Sequence, residues 1–155
     1  MKKPASLETV LEVSRLKRDE ALQALGAAQR EWQQAQTQLA QLQSYSQESQ
    51  QRWHEKTSVG VTPMLLSAHQ QFMAKLEHAM TFQNGVLQRL QLNVTHCQQM
   101  VMQAERDLAS LNKYSEKREQ AWQHQLQRQE QRSNDEMAAN LHRLHSSATF
   151  WRHST

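Results

Sequence analysis

Apolar and small residues recur along this chain at alternating intervals of three and four positions, the heptad pattern of a coiled coil. The first series consists of Leu7, Leu11, Ser14, Arg18, Ala21, Leu25, Ala28, Trp32, Ala35, Leu39, Leu42, Ser46, Ser49 and Trp53. The second series consists of Leu65, His69, Phe72, Leu76, Ala79, Gln83, Val86 and Leu90, then Val94, Cys97, Val101, Ala104, Leu108, Leu111, Ser115, Arg118 and Trp122. The step from Leu90 to Val94 is a four-residue stutter, which locally unwinds a supercoil. The two series predict two long helices.

Helix-breaking residues interrupt the pattern at one place in the middle of the chain. Gly60 and Pro63 lie between the two series, whereas the other breakers are Pro4, Gly26 and Gly85. Glycine and proline are the strongest signals for the end of a helix. The chain is therefore predicted to be all-α, an antiparallel two-helix coiled-coil hairpin with unequal arms.

The same signals set the predicted boundaries. Ser6 and Thr62 are expected to cap the two helices, and Pro63 suits a first helical position. A single coiled-coil domain is predicted over residues 1–155, with helix 1 at about 7–53, a turn at 54–62, helix 2 at about 63–145 and a disordered tail at 146–155.

The second helix is predicted to outlast the first. Folding back from the turn brings Leu7 close to Leu108 or Leu111, and apolar residues become sparse beyond Trp122. An unpaired polar helix is marginally stable in water. We expect this extension to fray alone and to become ordered on a partner.

Charge and hydropathy limit the function classes. The formal net charge of +3 comes from interleaved signs, which favours solubility over binding to nucleic acid. Mean hydropathy is −0.88, low for a globular core but sufficient for a narrow seam. No apolar run follows the charged N-terminus, and none approaches the roughly 20 residues of a membrane span. We expect a cytoplasmic protein, or one that reaches its site through a partner.

Catalytic and metal-binding patterns are absent from the sequence. It contains no phosphate-binding loop, dinucleotide fingerprint, HExxH or CxxC motif. His142 and His145 share a helix face, but two ligands without a third are a weak metal site. His69 is interpreted as a partly wet core residue and Cys97 as a small apolar filler. We expect no enzymatic activity, no cofactor and no metal.

The widest apolar surface follows the turn. Met73 and Met80 lie beside Phe72 and Leu76, and methionine suits adaptable binding surfaces. Residues 72–83 are therefore the best candidate for an interaction patch.

Several short runs resemble the FliJ family. They are Leu7-Glu8-Thr9, Leu25-Gly26, Gln33-Gln34-Ala35, Gln38-Leu39, Leu42 with Tyr45, Gln70-Gln71-Phe72, Leu76-Glu77 with Ala79, and Asp135-Glu136-Met137. The resemblance implies a soluble component of the bacterial flagellar type III export apparatus, with the shape of the rotor stalk of rotary ATPases.

The resemblance also implies partners. They are the hexameric flagellar export ATPase, whose central hole would receive the paired terminal end, the cytoplasmic domain of the export gate protein, and export chaperones. The protein would then be a non-enzymatic stalk or adaptor, peripheral at the cytoplasmic face of the inner membrane.

The residues that the resemblance assigns to export-gate binding are Phe72, Leu76, Ala79 and Gln83. Relatives often carry His at the position of Gln83. The heptad register places all four on the seam between the helices, so gate binding requires a slip in the register or an opening of the pair near the turn.

Two other functions fit the same pattern. One is the equivalent stalk of a virulence type III secretion system. The other is a generic coiled-coil scaffold or chaperone that self-associates through its surplus helix. Stimulation of an export ATPase would separate the stalks from the scaffold.

Overall fold

Two helices account for almost all of the described chain. The computed structural model describes residue 3 and residues 6–153, with only the backbone described at residues 150, 152 and 153. Helix α1 spans Glu8–Thr57, 50 residues, and helix α2 spans Pro63–His153, 91 residues. The described residues contain no strand, and the helices pack against each other. The predicted all-α hairpin with unequal arms is confirmed.

Side chains cap both helices where the sequence predicts them. The Ser6 hydroxyl accepts a hydrogen bond from the Glu8 amide at 3.2 Å, and Thr62 Oγ1 accepts one from the Leu65 amide at 3.3 Å. Pro63 then occupies the first position of α2, where a missing N–H costs nothing. These caps fix where each helix begins.

Helix α1 ends at Thr57 rather than near residue 53, so the predicted turn at 54–62 is too long. None of residues 54–57 is a glycine or proline. The Thr57 hydroxyl donates to the His54 carbonyl at 2.9 Å and the Ser58 hydroxyl to the Glu55 carbonyl at 2.7 Å, which satisfies two terminal acceptors. The connection is therefore residues 58–62.

Gly60 permits this short connection. Its φ of +106° lies in the region that residues with a Cβ rarely adopt. The Gly60 amide donates to the Thr57 carbonyl at 3.3 Å, which closes the turn.

Helix α2 continues to His153, so the predicted end near residue 145 is corrected. No breaker interrupts residues 146–153, which are predicted above to be part of a disordered tail. Thr149 Oγ1 donates to the His145 carbonyl at 2.7 Å, and the Ser147 hydroxyl donates to the Leu144 carbonyl at 3.1 Å. Both residues satisfy their hydroxyls within the helix. Residues 154 and 155 lie outside the described residues.

Contacts divide the chain into two units, Ser14–Arg106 and Met1–Val13 with Asp107–Thr155. We call the first the turn unit and the second the terminal unit. The prediction of a single domain stays a prediction.

The core of the turn unit is a narrow seam. Ala28, Val94 and Cys97 form a buried cluster, against which Leu25 and Trp32 pack. Small Ala28 beside Trp32 lets the helices stay close. The interpretation of Cys97 as an apolar filler is confirmed, and Trp32 packs against the cluster as its heptad position predicts.

Candidate partner-binding surfaces

Three of the four residues predicted to bind an export gate lie in the seam of the turn unit. Leu76 is only 7% exposed, and Ala79 and Gln83 are half-buried. Gln83 Nε2 donates to the Ala35 carbonyl at 3.0 Å and to Gln38 Oε1 at 3.1 Å. Because these bonds cross between the helices, Gln83 fixes their register.

Phe72, the fourth residue, lies at the rim of the seam. It is 39% exposed, and its ring meets Tyr45 edge-on with centroids 5.9 Å apart and an interplanar angle of 84°. Tyr45 is also exposed. A partner can therefore reach Phe72 and Tyr45 directly, whereas contact with Leu76 requires the helices to separate. Gate binding by the four residues stays a prediction.

A stacked pair lies closer to the turn. The rings of Trp53 and His69 are nearly parallel, at 3°, with centroids 4.0 Å apart. Both residues are half-buried, as the sequence predicts for His69. The pair borders an open cleft of about 470 Å³, whose other lining residues are Ser49, Arg52, Glu55, Lys56 and Val59.

The turn itself exposes apolar side chains that the heptad pattern does not predict to be exposed. Val59 and Met64 are almost fully exposed, and Leu65 and Leu66 are about half-exposed. The heptad series predicts a seam position for Leu65, which is wrong, because about half of this side chain is exposed. The concentration of valine, methionine and leucine around Gly60 is the sequence signal for this surface.

The terminal unit joins the start of α1 to the middle of α2. A cleft of about 480 Å³ is lined by Lys3, Ser6, Leu7, Glu8, Ser115, Glu116, Arg118 and Glu119. Leu7 and Ser115 therefore line the same cleft, one helical turn beyond Leu111, and the pairing of Leu7 with Leu108 or Leu111 stays a prediction.

Beyond this cleft no described side chain of α2 is buried. Every residue from Gln127 to Thr149 is exposed, including Met137, Leu141 and Leu144 at 61%, 65% and 66%. This agrees with the predicted unpaired extension, although the structure shows it as continuous helix.

Two other kinds of site are absent from the described residues. No three or more His, Cys, Asp or Glu side chains are grouped so that they could hold a metal ion. Neither helix, over the part of the chain that is described, is apolar enough along its length to cross a membrane.

Comparison with models of known protein families gives a match over most of the chain. The family model described as flagellar FliJ protein matches residues 2–147 of this 155-residue chain. No curated protein and no solved structure matches it. The matched range contains all of α1, the turn and most of α2, and the hairpin is the architecture that the resemblance implies. The chain therefore belongs to the FliJ family, a family of the flagellar protein export system.

Proposed function

We propose that this protein is a non-enzymatic stalk of the bacterial flagellar type III export apparatus, with the hexameric export ATPase bound at the terminal unit. The observation that carries the proposal is the exposed helix from Gln127 to Thr149, which adjoins the paired start of α1 in the same unit. A partner can bind along this helix without disrupting core packing, because its side chains are already exposed.

The chemistry of this extension suits a polar channel. Its residues from 127 to 149 include glutamines, serines, histidines and charges of both signs, with few apolar side chains. A helix of this composition can enter a protein ring without burying an unpaired block of charge. The action is mechanical: the stalk couples states of the ring to a second partner.

The turn unit would hold that second partner, the cytoplasmic domain of the export gate. Phe72 and Tyr45 supply an exposed aromatic pair, and aromatic residues commonly anchor protein interfaces. Val59 and Met64 extend the apolar surface at the turn. Export chaperones are the third proposed class of partner. The protein would then be peripheral at the cytoplasmic face of the inner membrane, held there by its partners.

ATP hydrolysis by the purified flagellar export ATPase tests the first contact. A chain ending at Leu126 should stimulate hydrolysis much less than the full chain, while a chain ending at Thr149 should stimulate it normally. Circular dichroism should show that both truncated chains keep the helices of the turn unit. Full stimulation by the chain ending at Leu126 would contradict the proposed site.

A pair of phenylalanines tests the gate contact. Phe72→Glu should weaken binding to the gate's cytoplasmic domain, whereas Phe82→Glu, at another exposed position of α2, should not. Equal effects of the two substitutions would show that Phe72 has no particular role.

A further inference from the structure

The exposed extension carries an apolar stripe. Met137, Leu141 and Leu144 are spaced by four and three residues and are each more than 60% exposed. This spacing places them along one face of α2, one helical turn apart. A stripe so narrow fits a single partner helix better than a globular groove.

The series continues in both directions with residues of alternating size. Three positions before Met137 stands Asn134, and after Leu144 come Ala148 and Trp151. The six positions therefore span two and a half heptads in one uninterrupted helix.

We propose that residues 134–151 pair antiparallel with the same segment of a second copy of this chain. In one register every layer matches: Leu141 of each copy faces Leu144 of the other, and Met137 faces Ala148. Trp151 then faces Asn134, the small polar residue at the start of the stripe. Large side chains thus meet small ones in the outer layers, which keeps the helix separation uniform. A parallel pair would instead place Trp151 against Trp151 and Ala148 against Ala148.

Charge favours the same direction. Residues 130–136 contain Glu130, Asp135 and Glu136 against one arginine, whereas residues 137–153 contain two arginines and no carboxylate. Antiparallel pairing brings the acidic part of one copy towards the basic part of the other, and the helix dipoles also favour it. Parallel pairing would align like charges.

The flanks of the stripe do not oppose pairing. Of the positions beside it, Ser133, Ala138, Asn140, His145 and Ser147 are not carboxylates, lysines or arginines, and Arg152 comes level with the acidic residues 130–136 of the other copy. Six positions per helix bury less than a standard protein interface, so the dissociation constant should be on the order of 100 μM. The inference does not depend on the proposed export function.

Sedimentation equilibrium of the full chain tests the pairing. The native chain should dimerise reversibly, and Leu141→Glu with Leu144→Glu should raise the dissociation constant at least tenfold. Ala139→Glu with Ser146→Glu adds the same charges on the opposite helix face and should leave it within about twofold, about 0.4 kcal/mol. A native chain that stays monomeric at 1 mM, about ten times the expected dissociation constant, would overturn the proposal. Equal effects of the two double substitutions would also overturn it.

Spin labels test the direction. On a Cys97→Ala background, labels at residue 131 of the two copies should lie about 35 Å apart in an antiparallel pair, from the helical rise per residue. Labels at residue 143, close to the centre of the pair, should lie within about 20 Å. Short distances at both positions would indicate a parallel pair and would refute the proposed register.

Discussion

Replacing Leu76 by alanine separates the two roles that the sequence assigns to the residues after the turn. Leu76 is 7% exposed, so its side chain is part of the seam of the turn unit. Large-to-small substitutions of buried leucine cost about 2–5 kcal/mol. The seam is open to solvent on both sides and its neighbours can relax, so a value near the lower end, about 2–3 kcal/mol, is expected.

Phe72 should behave differently. It is 39% exposed, and alanine there loses the edge contact with Tyr45 and only part of the burial. We expect a cost of about 1–2 kcal/mol, below the range for a fully buried phenylalanine. Phe72→Ala should therefore weaken gate binding more than stability, and Leu76→Ala should do the reverse.

Urea unfolding followed by circular dichroism measures both changes, beside a binding assay with the gate's cytoplasmic domain. Leu92→Ala is the matched control, because Leu92 is exposed on the same helix and should change the free energy of unfolding by less than about 0.5 kcal/mol. If Leu76→Ala also costs less than about 0.5 kcal/mol while gate binding is lost, Leu76 is a partner residue and the seam assignment is wrong.

Three further substitutions test the turn, the register and the first cap. Gly60→Ala should destabilise the hairpin by about 1 kcal/mol or more, because Gly60 has a positive φ. Gly85→Ala, in open space within α2, should instead stabilise the hairpin by up to about 1 kcal/mol. Thermal melts in which both substitutions shift the melting temperature in the same direction would contradict this. Gln83→Ala should cost about 1 kcal/mol in urea unfolding through the bonds lost to Ala35 and Gln38, and no change would show that these bonds do not stabilise the pair. Ser6→Ala should increase amide hydrogen exchange in the first turn of α1, and unchanged exchange would argue against the cap.

Heptad spacing was sufficient to predict the hairpin and most of the seam. Val94, Cys97, Val101 and Leu108 are all buried, as their positions in the second series predict. Regular spacing is informative here because a long helix has few alternatives when breakers are absent.

Local spacing does not determine where pairing stops. Leu65 has a seam position in sequence but is about half-exposed, because burial also needs a partner layer across from it. The end of α1 has no strong stop signal between Trp53 and Thr57, so the predicted turn begins about four residues before the observed one. The burial of the Phe72 side chain could not be predicted either, because it depends on contact with Tyr45 in the other helix.

The proposed stalk function is tested most directly by photo-crosslinking to the purified hexameric export ATPase. A photoreactive amino acid at Ala139, in the exposed extension, should capture the ATPase, and the same group at exposed Leu92 in the turn unit should capture little. A stalk that enters the ring should give strong capture from residue 139, and this capture should be lost when the hexamer is not assembled. Capture from residue 92 alone, or equal capture from both positions, would contradict the account.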